Sequence, residues 1–325
     1  MDGRSRVEAA LAGDVVDRPP VGAWGHTFDE EWSPERLAAI TVERAATFGW
    51  DFVKFQPRAT CFSEAFGARW RPSGGPSQPV LVEWAVPTIE DWAGVAQVDG
   101  RPLDDQVQAL RLVVERLGDR LPVLQTVFSP LTVAGFLVGR DTGRVVRELR
   151  ERPDAVVPVL RLIGDALIDF SARSVELGAA GIFYAISGYA TPEVVPPDVY
   201  EELVLPTDEH VLGALPDAAW WNVLHLCGPR IDMGLAERLP AQTLSWSIHA
   251  EGNPGLAEAR DRTGRAVLGG IDERSTLVEG PAAEIRRQAE AAVQDTGGRG
   301  LLIGPGCSVP PEVPDAYLRT LLPTA

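Results

Sequence analysis

Apolar and polar positions follow two rhythms along this chain. Short apolar runs recur, and each is followed by a longer stretch with apolar residues three and four apart, the pattern of a parallel sheet with crossover helices. The runs fall at 20–25, 51–56, 122–128, 180–186, 218–226, 243–248, 266–271 and 300–303. The run at 218–226 is broken only by Asn222 and His225, which predicts a strand buried on both faces. Between the runs the spacing predicts helices. One is capped by Ser33, with Pro34 at its first position and Leu37, Ile40 and Ala45 on its apolar face. Others are expected at 104–117, in pieces over 130–177, from Pro196-Pro197 to about Leu215, and at 254–262, 282–293 and 314–321. The segment 57–103 interrupts the rhythm. There Arg69 to Arg71, a Pro-Ser-Gly-Gly turn and Val80 to Trp84 predict a β-hairpin decorating the mouth of the fold.

Eight such units in 325 residues predict one domain, 1–325, an α/β (β/α)8 TIM barrel with 57–103 inserted after the second strand. A doubly wound open sheet with two added strands would give the same local pattern. In both architectures the functional side chains belong at the carboxyl ends of the strands.

Composition narrows the function classes. With 45% apolar and 23% charged residues the chain is that of a folded globular protein. Its 46 acidic against 30 basic residues give a net charge of −16, which repels phosphate backbones and anionic lipid and argues against nucleic-acid partners. Residues 1–7 carry charges and no apolar core of a signal sequence, and no apolar stretch approaches the ~20 residues of a membrane span. The expectation is a soluble cytoplasmic protein. Cys61, Cys227 and Cys307 are too few and too scattered for a disulfide framework, so reduced thiols are expected.

The strongest chemistry sits at two strand ends. His225 and Cys227 lie two apart on the fifth strand, so they project to one face with Cα atoms ~6.8 Å apart and make half a zinc site. Cys307, after Gly304-Pro305-Gly306 on the eighth, joins them only if its loop folds inward, since those strand ends lie on the order of 13 Å apart. Three donors would leave a fourth tetrahedral position for water or substrate, as in catalytic zinc sites. The spacing also suits two buried cysteines and a rim histidine bonded to a backbone carbonyl.

Several segments together carry a resemblance. Arg4 to Ala12 with Gly13, Asp17-Arg18-Pro19-Pro20-Val21, His225-Leu226-Cys227-Gly228, Gly269-Gly270-Ile271-Asp272 and Gly306-Cys307-Ser308-Val309-Pro310 resemble the uroporphyrinogen decarboxylase superfamily over nearly the whole chain. Within it the chain is most similar to the cobalamin-dependent branch, the methylcobalamin:coenzyme M methyltransferases, whose His-x-Cys and distant Cys bind zinc. The resemblance implies a (β/α)8 barrel, Zn²⁺ ligands at His225, Cys227 and Cys307, and a methyl donor, methylcobalamin, carried by a separate corrinoid protein. These families often dimerise through barrel faces, but no exposed apolar stripe marks a homodimer interface here. The decarboxylase branch is less similar. Its Arg-Gln-Ala-Gly-Arg segment is replaced by Ala23-Trp24-Gly25-His26-Thr27-Phe28, and its Phe-Ser-Asp element by Val53-Lys54-Phe55-Gln56. The cationic clamp and the pyrrole-facing acid are thus both missing.

Zinc and a thiol acceptor belong together because a thiol of pKa near ~8.5 is mostly protonated at neutral pH, and coordination yields the nucleophilic thiolate. Around that centre, Lys54, the only lysine in the chain, is a candidate anchor for a substrate carboxylate or sulfonate, or a rim ion pair. Trp24, His26, Ser187 and Glu251 are further substrate-contact candidates. Asp272, Tyr184 and His249 are candidates for catalysis, as fourth ligand, partner of His225 or proton acceptor; a helix cap is the ordinary role of Asp272. His210 and Cys61 read as structural. The expected function is a zinc-dependent methyl- or alkyltransferase acting on a small thiol with a corrinoid-bound donor. Two other readings stay open: a metal-free decarboxylase or lyase acting on a small acid, and a non-catalytic barrel that binds a corrinoid or tetrapyrrole.

Overall fold

The sheet is parallel and strongly curled. In this computed structural model, which describes residues 1–96 and 99–322, the strands are β1 (Val53–Phe55), β2 (Arg69–Arg71), β3 (Val80–Glu83), β4 (Val123–Phe128), β5 (Gly181–Ser187), β6 (Val223–Cys227), β7 (Thr243–Ser245), β8 (Ala266–Ile271) and β9 (Leu301–Pro305). Seven of them pair side by side in the order β1-β4-β5-β6-β7-β8-β9, all parallel, with helices in the connections. β2 and β3 form a separate antiparallel pair. The predicted ranges 57–103 and 1–325 include residues 97–98 and 323–325, which lie outside the described part.

The run expected as the first strand differs most from expectation. Residues 20–25 form only isolated parallel bridges, Val21 with Ile303 and Gly25 with Val309. Gly22 N–H donates to the Ile303 carbonyl, and Asp51 N–H donates to the Val21 carbonyl at 2.8 Å. The segment therefore lies between β9 and the approach to β1, but too few ladder bonds form for a full strand. The run at 218–226 also shortens, because Asn222 turns its side chain to the backbone. Its Oδ1 accepts from Ile182 N–H and its Nδ2 donates to the Ala219 carbonyl, and pairing starts only at Val223.

Helix signals held where caps were visible. Ser33 accepts from Arg36 N–H at the start of Pro34–Phe48. The stretch after Pro196 is less regular: Pro197–Val199 passes through a π-helical turn, Tyr200–Val204, into Leu205–Gly213. An additional helix, Gly3–Leu11, capped by Asp2, packs Val7 and Ala10 against the cluster enclosed by the sheet.

Alternation along the strands separates two cores. Phe183 on β5, Val223 on β6, Leu268 on β8 and Leu302 on β9 point into the enclosed cluster with Trp24, Phe52 and Trp221. Their neighbours Ile182, Tyr184, Leu224, Val267 and Ile303 face the larger core beneath the helices. Register then sets the site: Phe183 pairs with Val223, Ala185 with His225, and Ser187 with Cys227. No helix among the described residues is long and apolar enough to cross a membrane.

Candidate metal centre and its cavity

His225 and Cys227 emerge on the inner face of β6 because they share the parity of Val223. Cys307 reaches them because the chain after β9 is drawn inward at three points. Gly306 N–H donates to the Ile271 carbonyl at 3.1 Å, and Val309 N–H donates to the Trp24 carbonyl at 2.8 Å. Between them the Gly306 backbone lies directly on Ser247, where a Cβ would come within 2.5 Å of the Ser247 Cα. Close approach, not an unusual backbone angle, is what glycine provides there.

The two sulfurs stand 3.7 Å apart, and the donor atoms of His225, Cys227 and Cys307 all lie within 4.8 Å of one another. Two sulfurs each ~2.3 Å from one tetrahedral ion would stand about 3.8 Å apart, so the donor set fits zinc in type and spacing. His225 is buried, with Nδ1 3.2 Å from Ser245 Oγ, which orients the ring. Cys227 is pushed up as a thiol by its hydrogen bond to Cys307 and by burial. Cys307 is held toward thiolate by that same bond and by His225, against its burial.

A cavity of about 380 Å³ opens above this cluster. Its walls are aromatic, from Trp24, Phe128, Phe136 and Phe183, and its charged lining is cationic: Lys54, Arg140 and Arg274, with no carboxylate. Lys54 is buried and unpaired by any acid; its Nζ lies 4.8 Å from the centre of the Phe183 ring and 5.8 Å from that of Trp24. Burial pushes it down to about 7, partly opposed by the charges of Cys307 and Cys227. A chain of hydrogen bonds fixes it. Lys54 donates to Gln56 Oε1, Gln56 Nε2 donates to His26 Nε2 at 3.1 Å, and His26 Nδ1 donates to the buried Glu31 at 2.7 Å.

The predicted contact residues thus divide. Trp24, His26, Lys54 and Ser187 line the cavity. Glu251 does not: its side chain is 83% exposed and pairs with Arg230 on the surface. Tyr184 is placed elsewhere by strand parity. It faces the helices, fully buried, and its hydroxyl donates to Asp208 at 2.6 Å, where Tyr200 also donates at 2.5 Å. It cannot reach the cavity, and its candidacy for catalysis is corrected accordingly. His249 and Asp272 line a smaller cavity of about 270 Å³ on the other side of the cysteine pair. His249 Nε2 donates to the Gly270 carbonyl, and Asp272 accepts from Arg274 N–H, Ser275 N–H and the Ser275 hydroxyl. Burial opposes the charge of Asp272, but those bonds outweigh it and hold the carboxyl below its usual range.

Sequence reasoning missed Arg140, Gln56 and Phe183, which line the larger cavity. Arg140 has a left-handed φ of 63°, rare for a side chain of its size. Gln56 and Phe183 could have been found from strand parity alone. Trp24 walls the cavity, while Trp92 is fully buried and its indole N–H donates to Glu148.

Comparison with known proteins places the chain. The family model for uroporphyrinogen decarboxylase (URO-D) matches residues 2–325. A methylcobamide:CoM methyltransferase of Methanosarcina barkeri, MtaA, is 24% identical over 98% of this chain and 96% of its own. A uroporphyrinogen decarboxylase of Mycobacterium bovis is 26% identical over 75% of this chain and 71% of its own. Among solved structures, a methyltransferase from Methanosarcina mazei superposes with a TM-score of 0.80 at 22% identity, covering 99% and 97% of the two chains.

Proposed function

The chain belongs to the uroporphyrinogen decarboxylase family, and on that premise we propose that it is a zinc-dependent methyl- or alkyltransferase acting on a small, anionic thiol. The observation that carries the reading is the convergence of His225, Cys227 and Cys307, with sulfurs 3.7 Å apart, from strands distant in sequence. The whole chain is read as one closed (β/α)8 barrel, with 20–25 as its eighth stave. The β2–β3 pair is read as an insertion over the mouth, and Gln78, between its strands, lines the cavity.

Zinc bound to these three donors would supply a Lewis acid that favours the thiolate form of an incoming thiol. The rest is done by the chain. Ser245 fixes the His225 ring, and the aromatic walls keep water from the sulfur. Lys54, held by Gln56, His26 and Glu31, attracts the acceptor's anionic end, and Arg140 adds a second positive charge at the same cavity. A corrinoid-bound methyl donor would approach through the cavity mouth, as a partner protein or free.

A decarboxylase or lyase acting on a small acid is the second reading, favoured by the cation-only lining. Metal analysis of wild type and Cys307→Ala, with methylation of 3-mercaptopropionate from methylcobalamin as the assay, separates the two. Stoichiometric zinc lost in the variant together with activity supports the transferase. Activity on a small acid that survives chelation refutes it.

A further inference from the structure

Two cations of the larger cavity have no acid of their own. Arg274 stands 3.7 Å from a carboxylate oxygen of Glu273 and is 78% exposed. Lys54 and Arg140 also line the cavity, and neither forms an ion pair among the described residues. They sit at different depths along one aromatic wall. Lys54 is buried, with Nζ 4.8 Å from the centre of the Phe183 ring. Arg140 is exposed, with its guanidinium carbon 5.2 Å from the centre of the Phe136 ring. Phe128 joins the two ends: its ring meets Phe136 edge-on at 5.2 Å between centres, and its backbone pairs with Ala185, two residues beyond Phe183 on β5.

The backbone holds Arg140 at that place against its own preference. Gly139 and Arg140 both take left-handed angles, with φ of 87° and 63°, and Arg140 N–H donates to the Gly135 carbonyl at 2.7 Å. Trp84 lies so close to Gly139 that a Cβ there would come within 2.4 Å of its ring. A bulky residue keeps such a conformation only where its surroundings enforce it, and such residues gather at ligand sites. Thr142 also lines the cavity and opens the ten-residue helix Thr142–Glu151, whose N-terminus adds partial positive charge. Asp141 caps that helix by accepting from Arg144 N–H at 2.9 Å, and it does not line the cavity.

Size points the same way as charge. At ~30 Å³ for each water-sized group, the 380 Å³ cavity has room for roughly a dozen, about twice the non-hydrogen atoms of 3-mercaptopropionate. Resting on the thiol reading above, we propose that the acceptor is a dianionic thiol of the mercapto-dicarboxylate class. One anionic group meets Lys54 beside the cysteines, and the second meets Arg140 at the mouth. The guanidinium presents forked N–H donors that match a carboxylate, and a monoanion would leave them to water.

Binding tests this before turnover does. Wild type and Arg140→Gln are titrated calorimetrically at pH 6.5 with succinate, glutarate and adipate, and with butanoate, pentanoate and hexanoate as monoacids of matching length. Below about 7 Lys54 is mainly an ammonium, so both cations take part. In wild type at least one diacid should bind about 10-fold or more tightly than its monoacid, and in Arg140→Gln that margin should shrink to about twofold. Diacids that bind no tighter than monoacids in wild type overturn the proposal, whether or not the variant folds. A margin that survives in Arg140→Gln overturns it too. Zinc-loaded wild type should then methylate the 2-mercapto derivative of the preferred diacid with kcat/KM about 10-fold above that for 3-mercaptopropionate; an equal or lower value overturns the dianionic acceptor. If the diacid margin behaves as expected and neither thiol is methylated, the thiol reading falls and the two-cation subsite stands, which separates the two failures.

Discussion

Asp208 and Glu273 are both buried acids with no cation in close hydrogen-bonding contact, yet the molecule treats them in opposite ways. Asp208 lies between sheet and helices and accepts a phenol hydroxyl on each oxygen, from Tyr184 and Tyr200. Burial pushes it up to about 6, with the two phenols pulling the other way. Glu273, at the mouth, has one oxygen with no donor and two cysteines across the cavity. The satisfied acid fastens a helix to the sheet, while the other leaves one enclosed oxygen without a donor beside the smaller cavity. Donor count, not burial, is what separates the two acids.

The contrast can be broken most forcefully at the metal donors. Cys307→Ala should abolish zinc retention and lower thiol methylation by at least ~10³-fold, as read by metal analysis and turnover, with little change in unfolding of the helical layer around Asp208. Next is Lys54→Met, which should lower kcat/KM for 3-mercaptopropionate by about 10–100-fold relative to neutral 2-mercaptoethanol. Because burial holds Lys54 at about 7, its ammonium form, and the preference for the anionic thiol, should fade in wild type as pH rises above that value.

On the structural side, Tyr184→Phe should leave turnover unchanged. It should destabilise the fold by roughly 1–3 kcal/mol in urea denaturation, since Asp208 then keeps one donor of two. The folded-state pKa of Asp208 lies above its unfolded value, so its contribution is fully present below about 4 and is lost as pH rises through about 6. Between pH 5 and 7 wild type should therefore lose about 1 kcal/mol relative to Asp208→Asn. Smallest of all, Glu251→Gln should change neither activity nor stability beyond ~0.5 kcal/mol, because only a surface pair with Arg230 is lost.

Much of this was legible in the chain. The alternating rhythm predicted the parallel sheet, and the shared parity of His225 and Cys227 put both on one face. Tyr184 shows the limit of reading by strand end alone. Its position was right, but it lies one residue out of phase with Phe183 and Ala185, which line the cavity. Residues 20–25 carried a strand pattern without the pairing that makes a full strand. Glu273 left no signal, because an acid in a turn after a strand is ordinary; its lack of donors exists only in three dimensions. Arg140 belongs to a backbone conformation that no local pattern announced.

The contact of Gly306 on Ser247 bears on how such centres are recognised and transplanted. Grafting an imidazole and two thiols onto another scaffold would copy every atom that binds the ion and still fail if a methyl group stood where this chain has a hydrogen. A search for chelating proteins by their ligands alone will therefore admit impostors, and the discriminating position carries no side chain at all.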